Sequence, residues 1–393
     1  MSNNTNSGFL FATCQNVLCE VGSSLRIGEI VTEQGYKSVL FVTDPGIASL
    51  NLHQSTIEGL QKAGVEVTVY DEVQADPPES IIFAALECAK KANAEVVIGF
   101  GGGSSMDVAK LIAFLAHPEC SQTLADIYGV NNAKGQRLPL IQVPTTAGTG
   151  SEVTQVAIVT TGETTKMGSV SPIYLPDYAI LDAGLTVGLP PHVTAATGVD
   201  AMVHAIESYT SAIKKNPMSD LLAKEALKLM GANIQTAVHN GKDLGARQQM
   251  LFGAMLAGQA FANSPVAAVH ALAYPLGGHF HIPHGLSNSL VLPHVLRFNI
   301  SEAADMYAEL APYTFPDVAF EGSSEEIAEQ FIVEMEKLIK DLGLPMTLKE
   351  MDIEESFLPT LAKDSMLQER LLMNNPRPVS YDDALAIYTA AYQ

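Results

Sequence analysis

Two hydrophobic periods alternate along the first half of this chain, and only one continues through the second. The β-branched runs SVLFVTD at 38–44, EVTVYDEV at 66–73, EVVIGFG at 95–101 and LPLIQVPTT at 138–146 are short enough for single strands. Between them, HQSTIEGLQKAG and PESIIFAALECAKKA place apolar residues three and four apart, as helices lying on a sheet do. That order predicts parallel strands joined by right-handed crossover helices. A further run, VTQVAIVTT at 153–161, turns at Gly162 and returns through Lys166 into SVSPIYLPDYAILD, which reads as a hairpin added at the edge of the main sheet. After Leu189-Pro190-Pro191 the strand signals fade, and Ala, Leu and Met at helical spacing continue nearly to the C-terminus. The expected architecture is an α/β domain over 1–189 and an all-α domain over 190–393, a length that suits two domains.

Composition narrows the function classes. Hydrophobic residues make up 47% and charged residues 17%, which describes a packed globular chain. Acidic residues outnumber basic ones 43 to 22, and a net charge of −21 repels nucleic-acid backbones and anionic lipid surfaces. Neither nucleic acid nor membrane is an expected partner. Cys14, Cys19, Cys88 and Cys120 form no CxxC pair and read as reduced thiols. The N-terminal segment has no Lys or Arg before Arg26 and no sustained apolar run, so it lacks the form of a secretory signal and a cytoplasmic location is expected. From Gln248 to Leu296 there is no Asp, Glu, Lys or Arg, yet Gln259, Asn263, Ser264 and Pro265 interrupt the stretch and histidines crowd its second half. Buried helices around a polar site fit that pattern better than a membrane span.

Two regions carry ligand-binding chemistry. Val97-Ile98-Gly99-Phe100-Gly101-Gly102-Gly103-Ser104-Ser105 follows a buried strand and leads into the helical pattern MDVAKLIAFLA. Glycines let the backbone approach a pyrophosphate, and free N–H groups at a helix start attract its charge, with Ser104 or Ser105 available as the cap. The spacing Gly99-x-Gly101-x-x-Ser104 departs from the usual dinucleotide fingerprint, and a glycine turn that only packs a helix on a sheet would look similar. Asp44, ending SVLFVTD, can accept hydrogen bonds from an adenosine ribose and repel a 2′-phosphate, or cap the turn before Pro45-Gly46. Pro144-Thr145-Thr146-Ala147-Gly148-Thr149-Gly150-Ser151-Glu152 leaves another buried strand as a hydroxyl-rich loop of small residues.

In Gly198-Val199-Asp200-Ala201-Met202-Val203-His204, Asp200 and His204 stand four apart on a helical pattern and share a face. Alone, such a pair is commonly a mutual hydrogen bond. His270, His279, His281 and His284, however, all fall inside the charge-free stretch, where several imidazoles are costly to bury unless something such as a metal organises them. Imidazoles with one carboxylate suit Fe²⁺ or Zn²⁺.

GGGSSMDVAK at 101–110, PTTAGTGSEVT at 144–154, GVDAMVHAIESY at 198–209 and the segment ending HIPHG at 281–285 together resemble the iron-containing (group III) alcohol dehydrogenases over essentially the whole length. The resemblance implies a nucleotide-binding α/β domain followed by a helical domain, the dehydroquinate synthase-like plan, with the active site in the cleft. It implies metal ligands at Asp200, His204, His270 and His284. It implies a pyrophosphate loop at Gly101, Gly102, Gly103, Ser104 and Ser105, with Asp44, Asp107, Thr145, Thr146 and Thr149 also on the cofactor side. The chain departs from the family where HxxxH would follow the third ligand: the second histidine is Tyr274. Proton transfer therefore falls to Tyr274, His281 or a ribose hydroxyl, and Lys166 is a further candidate near cofactor or substrate. The implied cofactors are Fe²⁺, with Zn²⁺ as the alternative, and NAD(H) in preference to NADP(H). The expected substrate is a small alcohol or aldehyde, because the cleft segments of the helical half hold almost no Lys or Arg. That same lack disfavours a dehydroquinate synthase-like lyase, which must grip a polyanion; a maleylacetate reductase or hydroxyacid-oxoacid transhydrogenase stays open. A homodimer or larger homo-oligomer is the expected assembly.

Overall fold

The computed structural model describes residues 8–162 and 165–393. Residues 1–7, in the segment read as lacking a secretory signal, and 163–164, inside the hairpin turn, lie outside it. By contacts the chain forms two units: Cys14–Ala201 with Asn233–Gly258, and the residues through Thr13 with Met202–Ala232 and Gln259–Gln393.

The first unit is built on a six-stranded parallel sheet. Along the chain come β1 (Asn16–Cys19), α1 (Ile27–Glu33), β2 (Ser38–Val42), α2 (Pro45–Ser49), α3 (Gln54–Lys62), β3 (Glu66–Tyr70), α4 (Glu79–Lys91), β4 (Val96–Gly101) and α5 (Gly103–Leu115). After them follow β5 (Gly129–Val130), β6 (Leu140–Pro144), β7 (Val156–Thr161), β8 (Thr165–Val170) and β9 (Tyr178–Leu181). The sheet order is β1-β9-β6-β4-β2-β3, and every neighbouring pair is parallel. Alternate side chains serve two cores. Leu40, Val42 and Val97 pack with α4 and α5, while Val39, Phe41, Ile98 and Phe100 pack with α1 and α3. Helices thus cover both faces, which is why these strands read as unbroken apolar runs.

From β2 the chain moves outward to β3, then returns to β4 and continues through β6 to β9 on the other side. The direction of winding reverses between β2 and β4. Loops diverge above the carboxyl ends of strands at such a reversal and leave room for a ligand.

One expectation needs correction and one strand was missed. The hairpin β7–β8 is antiparallel as expected, but it joins β5 in a separate three-stranded sheet rather than the main one. The strand that does enter the main sheet from this region is β9, seated between β1 and β6. Strand β1 itself went unread: its four residues NVLC are mostly exposed at the sheet edge and show no alternation.

Beyond β9 the regular elements are helices among the described residues: α6 (Pro191–Thr210), α7 (Pro217–His239), α8 (Leu244–Asn263), α9 (Ala268–Phe280) and α10 (His284–Thr314). They are followed by α11 (Ser324–Asp341), α12 (Leu358–Ser365), α13 (Glu369–Leu372) and α14 (Tyr381–Tyr392). This fold, a parallel-sheet domain with a helical domain, is dehydroquinate synthase-like. Within the second unit α9 is a central element. The Tyr388 hydroxyl of α14 donates to the Leu272 carbonyl at 2.6 Å, and the Asn374 amide donates to the Val266 carbonyl just before α9 begins at 2.9 Å. Arg297 of α10 bonds Glu329 and Glu336, tying α10 to α11. Among the described residues no helix is long and apolar enough to cross a membrane, the charge-free stretch included.

Candidate active site

Three helices each present two residues four apart, one turn of helix, so each pair shares a face: Asp200 and His204 on α6, His270 and Tyr274 on α9, His284 and Asn288 on α10. One ligand atom from each of Asp200, His204, His270 and His284 lies within 4.8 Å of all the others. Asp200, His204 and His270 are 2%, 4% and 3% exposed, whereas His284, at the first turn of its helix, is exposed. Donors held at about 2.1 Å from a shared tetrahedral ion stand about 3.4 Å apart, so the widest pair here would close by up to roughly 1.4 Å around one. Three imidazoles and a carboxylate are a donor set for Fe²⁺ or Zn²⁺, and the residues fit such an ion.

The ring orientations are fixed from behind. Glu207, seven residues after Asp200 on the same face of α6, is 3% exposed. Its Oε2 takes the Nδ1–H of His270 at 2.6 Å, and its Oε1 takes the backbone N–H of Val269 at 2.6 Å. With Nδ1 carrying the proton, the ring's lone pair lies on Nε2 of His270, the arrangement that carboxylate-backed metal histidines use. The Asn288 amide nitrogen lies 3.3 Å from His270 Nε2 and 3.4 Å from His284 Nε2. His204 stacks between Phe261, at 4.4 Å, and His270, at 4.8 Å. Sequence reading passed over Glu207 and Asn288. The signal for Glu207 was its place in the Asp200, His204, Glu207 series at four and seven, an ionisable side chain on the same face as the two ligand candidates.

The other candidates in this region are more dispersed. Tyr274 is half-buried with its ring 6.0 Å from that of His284. His281 is exposed at the C-cap of α9 with φ of 54°, outside the four-residue cluster. His279 bonds Asp364 of α12 at 2.7 Å. Lys166, on β8, is paired with Asp76 at 2.6 Å.

A second group gathers at the carboxyl edge of the main sheet. Because β2, β4 and β6 are adjacent, Asp44, the glycine turn and the Thr145–Thr149 loop emerge side by side. Gly101 adopts φ of +148°, and a Cβ there would meet Ser105 Oγ at 2.8 Å and Asp44 Oδ2 at 3.1 Å, so only glycine fits. Helix α5 begins at Gly103 with Gly102 as its N-cap and no side-chain cap, which corrects the capping role given to Ser104 or Ser105; the first-turn N–H groups are left for another acceptor. Ser105 Oγ instead donates to Asp44 Oδ2 at 3.4 Å. Asp44 does cap α2, its Oδ1 accepting from the Ile47 N–H at 3.0 Å, while its Oδ2 faces the glycine turn.

Asp107 points toward the hydroxyl loop: its Oδ1 accepts from Ser151 Oγ at 2.7 Å and its Oδ2 from the Ile158 N–H at 3.0 Å. Beside it Glu152 is 2% exposed. Burial pushes its carboxyl up to about 7, against the pull of its own backbone N–H and of Lys110.

Residues 14–183 match the family model described as iron-containing alcohol dehydrogenase, and residues 194–392 match that of the Fe-containing alcohol dehydrogenase family, C-terminal. A long-chain-alcohol dehydrogenase from Geobacillus thermodenitrificans is 41% identical over 363 residues, covering 92% of this chain and 91% of the relative. The crystal structure of a 1,3-propanediol oxidoreductase superposes with a TM-score of 0.94 at 32% identity, covering 98% of this chain and 100% of the other. A sulfoacetaldehyde reductase from Bifidobacterium kashiwanohense, solved in complex with NAD⁺, superposes with a TM-score of 0.86 at 29% identity, covering 98% of this chain and 99% of the other.

Proposed function

Since the chain belongs to the iron-containing alcohol dehydrogenase family, whose chemistry is oxidation of alcohols and reduction of aldehydes, we propose that it is a metal-dependent, NAD-linked dehydrogenase of small alcohols or aldehydes. The observation that carries this reading is the convergence of one carboxylate and three imidazoles from three helices within 4.8 Å. Asp200, His204, His270 and His284 would hold Fe²⁺, or Zn²⁺ in its place. When bound, such an ion supplies Lewis-acid polarisation of the substrate's hydroxyl or carbonyl oxygen.

The chain's own residues supply binding and orientation. Glu207 holds the His270 ring, and Phe261 and His270 pack against the His204 ring. The open first turn of α5, from Gly101 to Ser105, offers N–H groups to a pyrophosphate. The Asp44 carboxylate accepts ribose hydroxyls and repels a 2′-phosphate, favouring NAD(H). Thr145, Thr146 and Thr149 supply hydroxyls from the neighbouring strand end. The proton exchanged with the substrate oxygen falls to Tyr274, whose ring lies 6.0 Å from that of His284, to the exposed His281 or to a ribose hydroxyl. Lys166, engaged by Asp76, is given no step. The absence of charged side chains from Gln248 to Leu296 favours an uncharged substrate.

The test is to reconstitute stripped protein with Fe²⁺ or Zn²⁺ and follow NADH consumption against a panel of aldehydes and keto acids. Turnover concentrated among uncharged aldehydes is expected. No turnover with either metal would sink the reading.

A further inference from the structure

Lys110 is completely buried, two turns into α5. A methionine would fill a similar space without removing an ammonium group from water. The ammonium does what a methionine cannot. It donates to Ser151 Oγ at 2.7 Å, the Val156 carbonyl at 2.7 Å and Thr154 Oγ1 at 3.1 Å, and pairs with Asp107 Oδ1 at 3.2 Å. Burial pushes its pKa down, and the Asp107 carboxylate pulls it back.

Apart from Asp107, on the same helix, these contacts all reach one segment, from Ser151 to Val156. Gly103, Asp107 and Lys110 stand at zero, four and seven on α5 and so form one face. At the top of that face Gly103 has no Cβ, which lets Thr149 approach; a Cβ would stand 3.1 Å from Thr149 Cγ2. In the middle Asp107 takes Ser151 Oγ and the Ile158 N–H. At the bottom Lys110 gathers Ser151, Thr154 and Val156. The loop is held from its other side by Gly150, with φ of +61°, against Gly258, where a Cβ would meet the Gly258 Cα at 2.5 Å.

We propose that Lys110 and Asp107 are positioning residues that clamp the hydroxyl loop to α5 and thereby set the distance between the two places where a dinucleotide would be held. This rests on the NAD reading above. In that reading the order β2, β4, β6 puts the adenosine ribose at Asp44, the pyrophosphate at the glycine turn and the nicotinamide half at the Thr145–Thr149 loop. It also replaces the direct cofactor contact expected of Asp107 with an indirect one. A clamp of this kind matters to a ligand that spans both places and not to one that occupies only the first.

NADH and ADP binding, measured by titration calorimetry on the wild type, Lys110→Met and Ser151→Ala, separates these. Ser151→Ala removes only the hydroxyl shared by Asp107 and Lys110, so it reports even if Lys110→Met does not fold. For Lys110→Met the NADH dissociation constant should rise about 10- to 100-fold, the worth of a hydrogen bond to a charged group. For Ser151→Ala it should rise by about 3- to 10-fold, as for a neutral bond. ADP affinity should stay within about twofold in both. Unchanged NADH affinity in the folded variants overturns the proposal, and so does equal weakening of NADH and ADP. A wild type that binds no NADH overturns the cofactor reading itself, which is a separate result.

Discussion

Replacing Glu207 with Gln keeps the side chain's size and removes the charge behind His270. The carboxylate accepts two N–H groups at 2.6 Å each, one on either oxygen, in a site 3% exposed. A glutamine has only one carbonyl oxygen. Whichever N–H it serves, its NH₂ faces the other, so either the Val269 backbone loses its acceptor or the His270 ring is released to turn. Losing a hydrogen bond to a charged group costs about 1.5–3 kcal/mol. Disturbing a carboxylate behind a metal-binding imidazole lowers metal affinity about 10- to 100-fold, which is about 1.4–2.8 kcal/mol and agrees with the first figure. Competition between stripped protein and a chelator of known affinity reads this directly, for Fe²⁺ or Zn²⁺, with circular dichroism confirming that the variant is folded. A folded Glu207→Gln protein whose metal affinity lies within about twofold of wild type would refute the reasoning.

Asp44→Gly should relax the preference for NAD over NADP while lowering stability by only a few tenths of a kcal/mol, because glycine is a tolerated N-cap; an unchanged ratio of kcat/KM for the two cofactors contradicts the ribose role. The Glu152 carboxyl, raised from 4.5 to about 7 chiefly by burial, keeps its proton in the folded state after the unfolded chain has lost its own. Its contribution is therefore whole below the unfolded value and is lost as the pH climbs to about 7, by an amount on the order of 3 kcal/mol. Glu152→Gln should flatten urea-unfolding stability across that window, and a variant with the wild-type slope would show that the carboxyl does not titrate there.

How far the sequence reveals this molecule depends on the range of the interaction concerned. The strands β2, β4 and β6 are legible because burial on both faces makes them continuous apolar runs, β3 because its β-branched residues alternate at the sheet edge, and crossover helices separate them. The hairpin β7–β8 is legible as a pair, but alternation cannot say which sheet a pair joins, and its assignment to the main sheet was wrong. Asp200 and His204 share a face by spacing alone. That α9 and α10 bring His270 and His284 to the same place depends on packing, to which only the histidine-rich, charge-free stretch gave a hint. Lys110 and Glu152 sit among glycines and hydroxyls, where charged residues ordinarily meet water, and nothing local signals that both are buried. Ser104 and Ser105 have the right chemistry for a cap, but the N-cap falls on Gly102, which leaves both inside the first turn.

The central claim is that Asp200, His204, His270 and His284 hold the ion. Metal content per chain, measured by plasma mass spectrometry on protein loaded anaerobically and then desalted, tests it most directly for the wild type, His270→Ala and His284→Ala. About one Fe²⁺ or Zn²⁺ per wild-type chain is expected, and little in either folded variant. Full occupancy in both histidine variants would contradict it.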